Sequence, residues 1–196
     1  APVITGFYCF ISSFSCSTSD VKTLSLQEIR TTYYDLVVVG ATPGGISCAV
    51  RAAREGLHVL LVERTQHIGG FISSGCGGWE APYDGFRSPL YAEIKEKITE
   101  YYKDIYGGGS SQHLSSIPKP EGNQHIDRAK VEPRVAEMLF SKMVQDENAL
   151  DLLTGFFPIE VNRKGDSIIS ITLKELEGKK LVVVKGNIFS DCTYEG

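Results

Sequence analysis

The sequence predicts an α/β fold built on a parallel sheet, and three observations carry that expectation. The run from Tyr34 to Val39 is apolar apart from Asp35, rich in β-branched residues and ends in glycine, which suits a strand buried on both faces. Ile46, Ala49, Val50 and Ala53 then recur at helical spacing until Gly56 stops the pattern. His58 to Val62 reads as a second buried strand ending at Glu63, completing a β-α-β unit.

The remaining elements follow in order. Residues 69–79 form a glycine- and serine-rich stretch, too long for a simple connector and too rich in glycine for a helix, and are read as a functional loop. Tyr91, Ile94, Ile98, Tyr101, Tyr102 and Ile105 mark the apolar stripe of a helix. Residues 107–122, rich in Gly, Ser and Pro, read as loop. A further helix starts near Pro133, where a missing N–H costs nothing, and its pairs Val135/Ala136, Leu139/Phe140 and Met143/Val144 face a core. Its methionines are read as packing.

The end of the chain is β-rich, with strands expected at 152–153, 158–161, 168–173, 181–185 and 188–190. Residues 162–166 turn between two of them. This suits a small β-rich insert, a hairpin or three strands, after which the chain returns to the main sheet. Residues 33–196 are therefore read as one domain. Residues 1–32 stand apart, either as a leader resembling the tail of a secretory or lipoprotein signal or as an extra N-terminal strand. The first reading implies export or lipid anchoring and the second a cytoplasmic protein.

Charge and cysteine usage exclude several function classes. A net charge of −4 argues against nucleic acid or an anionic membrane as the main partner. No apolar run approaches the roughly 18 residues that a membrane-spanning helix needs. The five cysteines are scattered, with no CxxC pair and no histidine cluster beside them, so no metal site is expected. Cys48 and Cys192 read as buried, inert thiols, while Cys9 and Cys16 could pair in an exported chain.

The chemistry concentrates in the turn Gly40-Ala41-Thr42-Pro43-Gly44-Gly45. A helix N-terminus binds phosphate because its first N–H groups lack intrahelical partners and its dipole favours an anion. Glycines let a pyrophosphate approach that backbone and let the helix pack closely on the strand. Gly40 and Gly45 fill the outer positions of G-x-G-x-x-G, and Thr42 replaces the middle glycine. Thr42 is a good N-cap and Pro43 a good first helical residue. The Gly44 and Gly45 amides are then expected to point outward, with the Thr42 hydroxyl bonding either a phosphate oxygen or the Gly45 amide. Glu63 follows Gly40 by 23 residues, where a carboxylate can accept from an adenosine ribose hydroxyl. Gly69-Gly70 opens the long loop just beyond.

The stretch YDLVVVGATPGGISCAVRAAREGLHVLLVERTQHIGGFISSG resembles the flavin-binding opening of FAD-dependent oxidoreductases of the glutathione-reductase-like superfamily. GATPGG, Ile68-Gly69-Gly70, Glu132-Pro133 before a helix and the closing Asp191-Cys192-Thr193-Tyr194-Glu195-Gly196 are similar to one branch of it, whose members carry "ATPGG" and "DATYEGD". The resemblance implies a Rossmann-like FAD-binding domain. It implies that Gly40, Thr42, Pro43, Gly44 and Gly45 hold the FAD pyrophosphate, with Glu63 and Arg64 at the adenosine ribose. It implies further that Gly69, Gly70 and the following loop run toward the flavin, and that the main chain around Val161 lies by the adenine. Cys192 stands where the family has alanine. Family members continue well past the closing motif, so a further C-terminal segment or chain is expected to complete the flavin site.

No residue receives a catalytic role from the sequence. A bound flavin would carry hydride or electron transfer, and the substrate is unknown. Cys76 has no adjacent thiol and is read as a loop cysteine. Trp79 is open to stacking near the ring or to core packing. His67, His113 and His125 lie in loops without a nearby carboxylate in sequence. Two rival readings remain: an NAD(P)-binding module of the same fold, and a non-catalytic fragment.

Overall fold

The computed structural model describes residues 33–76, 78–81, 88–117, 119–121 and 124–195. The leader or extension expected over residues 1–32, with Cys9 and Cys16, lies outside them, as do the side chains of Trp79 and His125.

The chain runs β1 (Tyr33–Val39), α1 (Pro43–Arg54), β2 (Val59–Glu63), α2 (Gly70–Ser73), β3 (Gly78–Ala81), α3 (Pro89–Tyr106), α4 (Ser111–Ser116), β4 (Lys119–Glu121), β5 (Gln124–Lys130), α5 (Pro133–Gln145), β6 (Leu150–Thr154), β7 (Phe156–Lys164), β8 (Ser167–Glu175) and β9 (Leu181–Asp191). Six strands form one sheet in the order β6-β2-β1-β9-β8-β7. β6, β2, β1 and the second half of β9 are parallel, with Val38 opposite both Leu61 and Ser190. β7, β8 and the first half of β9 form an antiparallel meander, which is the β-rich insert. A second sheet, β3-β5-β4, is antiparallel.

Burial follows from this layering. One core lies between the parallel strands and the helices, joining Leu36, Val38 and Leu61 to Ile46, Ile94, Ile98 and Phe140. A second joins Val37, Leu60, Val62 and Leu153 to the meander residues Phe156, Ile171, Leu173, Val182 and Val184. The parallel strands are thus covered on both faces, which is why their apolar residues run consecutively, as in Leu36–Val39 and Val59–Val62, rather than alternating. Each fully buried valine or leucine contributes about 1.5–3 kcal/mol.

Four expectations need correction. Residues 181–191 are one strand rather than two, because β9 continues through Gly186 while its pairing passes from β8 to β1. A Cβ at Gly186 would lie 3.0 Å from Val37 Cγ2, so this glycine permits close strand approach rather than breaking the strand. The expected loop over residues 107–122 contains α4, capped by the Ser110 hydroxyl on the His113 N–H at 3.2 Å, and then β4. In the long helix, Ile105 is exposed and Leu90 is buried in its place on the packed face. Of the α5 methionines, Met143 is buried and Met138 is exposed.

Arg54 closes the helical layer from the end of α1. It bonds Glu93 of α3 and Glu147 beyond α5, each at 2.6 Å. Glu93, then Glu147, push the guanidinium pKa up, and Arg54 holds the Glu93 carboxyl below the usual carboxylate range.

Candidate functional site

The carboxyl ends of β1, β2 and β9 meet on one edge of the sheet, where β1 separates β2 from β9. Such a change of winding is where α/β sheets leave a crevice. Gly40 makes the turn at φ 96°, and a Cβ there would lie 2.8 Å from the Cys192 carbonyl carbon. Only glycine lets β9 and this turn come so close.

Thr42 is the N-cap of α1, with Pro43 at the first helical position. Its hydroxyl accepts from the Gly45 N–H at 3.1 Å and donates to the Cys192 carbonyl at 2.9 Å. Of the two alternatives left open by the sequence, this structure holds the second: the hydroxyl serves the Gly45 amide, and it ties the turn to the residue just after β9. It also corrects the expectation for Gly45. This residue is buried, its N–H is taken by Thr42, and a Cβ would stand 1.9 Å from the Gly40 carbonyl oxygen. Gly45 therefore packs the helix onto the strand, while Gly44 is the exposed glycine. The Gly44 N–H lies in the first turn, where intrahelical acceptors are lacking.

Glu63 ends β2 with both oxygens engaged. Oε2 accepts from the Ala41 N–H at 2.8 Å, and Oε1 accepts from the Thr65 N–H at 3.0 Å. A carboxylate has about four acceptor positions, so capacity for a hydroxyl remains. Next to it, the Arg64 guanidinium carbon lies 5.5 Å from the Phe157 ring centroid, in cation–π range.

Gly69 is tied to the turn by its N–H to the Ala41 carbonyl at 2.8 Å. The stretch beyond, expected to be loop, begins with the short helix α2, for which Gly69 and Gly70 supply φ values of 98° and 56°. The Tyr194 hydroxyl accepts from the Phe71 N–H at 3.0 Å. His67, expected to lack a carboxylate, has one: Nδ1 lies 2.6 Å from Glu137 Oε1 of α5, and Nε2 lies 2.9 Å from the Ser73 carbonyl. Their separation of 70 residues left no local signal of this contact. His113 lies in α4, where its Nδ1 accepts from the Gly109 N–H.

These parts border a cleft of about 900 Å³, at the upper end of common ligand pockets. Of the expected residues, Gly40, Thr42, Glu63, Arg64 and Gly70 line it. Pro43, Gly44, Gly45 and Gly69 build the turn beside it. Val161 does not line it: it lies further along the exposed edge strand β7, and Phe156, Phe157 and Pro158 take the lining positions. Tyr194 and His67 also line it and were not assigned there from the sequence. Glycines whose Cβ positions are filled by neighbouring backbone, a capped helix start and a strand-end carboxylate suit a dinucleotide with its pyrophosphate at α1.

Cys48 and Cys192 both pack against the helix-side core. They are half-buried rather than fully buried, and neither is in a disulfide. Burial, then the Cys192 thiol, push the Cys48 pKa up. Among the described residues, no helix is long and apolar enough to cross a membrane, and no group of three or more His, Cys, Asp or Glu could hold a metal ion.

Residues 35–196 match the family described as FAD dependent oxidoreductase. A 172-residue stretch, 86% of the chain, is 26% identical to a mitochondrial dihydrolipoyl dehydrogenase of Dictyostelium discoideum, covering 32% of that protein. A 66-residue stretch, 32% of the chain, is 45% identical to a digeranylgeranylglycerophospholipid reductase of Methanocella arvoryzae, covering 17% of it. In structure, 86% of the chain superposes on 59% of Thermovibrio ammonificans THI4 with a TM-score of 0.55 and 13% identity, a likeness of fold. The chain thus spans less than a third of the length of both curated relatives.

Proposed function

The chain belongs to the FAD dependent oxidoreductase family, and from that membership we propose that its cleft holds FAD as the flavin-binding portion of an oxidoreductase. The observation that carries this reading is the glycine approach at the start of α1. A Cβ at Gly40 or Gly45 would collide with backbone, and Gly44 stands exposed at the second helical position.

In this reading the Gly44 N–H and the positive end of α1 hold the pyrophosphate. Glu63 keeps its bond to Ala41 and accepts a ribose hydroxyl with its remaining capacity. Arg64 and Phe157 flank the adenosine, and Phe157 takes the place by the adenine expected of Val161. Gly69, Gly70 and α2 lead toward the flavin end. Bound there, FAD would supply hydride or single-electron chemistry, and the chain would supply position and electrostatics.

Substrate choice and the completion of the flavin environment belong, in this proposal, to parts of the relatives that the chain does not span. The test is retention of cofactor. Purified chain incubated with FAD and passed through a desalting column should keep visible flavin absorbance and quench flavin fluorescence. A colourless product with unquenched flavin defeats the proposal, and retention of NAD in place of FAD would turn the reading to a nicotinamide module.

A further inference from the structure

We propose that Tyr194 is a further cofactor-contacting residue, whose hydroxyl links α2 to an anionic pyrophosphate oxygen of the dinucleotide. This rests on the reading of the cleft given above.

Three observations converge on the phenol. Its oxygen accepts from the Phe71 N–H at 3.0 Å, and its ring meets the Phe71 ring edge-on at a centroid distance of 6.1 Å. A Cβ at Gly70 would lie 2.2 Å from that oxygen and 3.2 Å from Pro43 Cδ. The hydroxyl therefore sits in a space that exists because residue 70 is glycine, beside the first residue of α1. Tyr194 also lines the cleft, with 63% of its surface exposed.

The hydrogen-bond inventory gives this oxygen a direction. One lone pair takes the Phe71 N–H, and no acceptor among the described residues takes the phenolic proton. A hydroxyl pinned by its oxygen at the positive end of a 12-residue helix is a donor placed for an anion. O–H donors bond phosphate oxygens more strongly than neutral acceptors. Neither adenosine nor the oxidised flavin ring offers a charged acceptor, so the pyrophosphate is the part of the oxidised cofactor that this donor selects.

Tyr194→Phe keeps the ring contact with Phe71 and removes the hydroxyl. Binding of FAD, ADP and adenosine is measured for the wild-type chain and this variant by calorimetry and competition. The proposal expects the variant to bind FAD and ADP about tenfold more weakly, with adenosine unchanged. Equal affinity for ADP in both proteins, or a parallel loss for ADP and adenosine, overturns it, since a purely structural tyrosine would act on both ligands alike. A wild-type chain that binds neither FAD nor ADP removes the underlying cofactor reading as well.

Discussion

The Glu63 carboxylate accepts the main-chain N–H of Ala41 at 2.8 Å, bracing the end of β2 against the turn that follows β1. Ala41 is fully buried, so Glu63→Ala strands a buried donor. The expected loss is about 1–3 kcal/mol of stability without any cofactor. Glu63→Gln keeps an acceptor oxygen and should recover most of it. Urea unfolding of the two variants checks this, and equal stability of Glu63→Ala and wild type would remove the bracing role.

Thr42 is predicted to matter through its hydroxyl alone. Thr42→Ser preserves both bonds, to the Gly45 N–H and the Cys192 carbonyl, and should stay within about 0.5 kcal/mol of wild type. Thr42→Val keeps the shape but loses the cap, and should cost about 1–2 kcal/mol. Denaturant midpoints measured at equal slope distinguish the two.

Adjacent glycines should respond in opposite ways. In Gly45→Ala the new methyl meets the Gly40 carbonyl oxygen at 1.9 Å, a backbone collision that should cost about 1–3 kcal/mol or more. In Gly44→Ala the nearest atom is Thr42 Oγ1 at 3.7 Å, ordinary contact, and the helix gains a better former. Thermal melts should place Gly44→Ala at or above wild type and Gly45→Ala well below it. The reverse order would contradict the packing.

Arg54 gives a pH-dependent prediction. Arg54 lowers the folded-state pKa of Glu93, and burial opposes the shift. A carboxyl held low contributes stability above its unfolded pKa and loses it as pH falls through the folded value. Arg54→Met should therefore cost about 1 kcal/mol near neutrality, the pair being partly exposed and screened. The deficit should shrink below pH 4.5, the ordinary value for Glu93. A deficit that grew on acidification would contradict this sign.

The β-α-β opening was legible in the sequence because its signals are local: a run of buried β-branched residues, a Thr-Pro helix start and a stopping glycine. The cap at Thr42 was legible for the same reason. The use of Gly45 was not, since its amide and its missing Cβ are both engaged by neighbours in the folded turn. Gly186 misled in the same way, breaking a strand on paper while allowing β9 to approach β1. The pairing of His67 with Glu137 and the seat of Tyr194 on Gly70 join residues far apart in the chain, and no periodicity reports them. The β3-β5-β4 sheet arises from short polar segments that lack strand patterning.

The central claim is that the ends of β1, β2 and β9 hold a dinucleotide. Amide chemical-shift mapping of the isotopically labelled chain during FAD titration tests it most directly. The account predicts that the shifts concentrate in residues 40–45, 63–71 and 156–158, and at Tyr194. FAD-induced shifts confined to other surfaces, or none at saturating FAD, would contradict it.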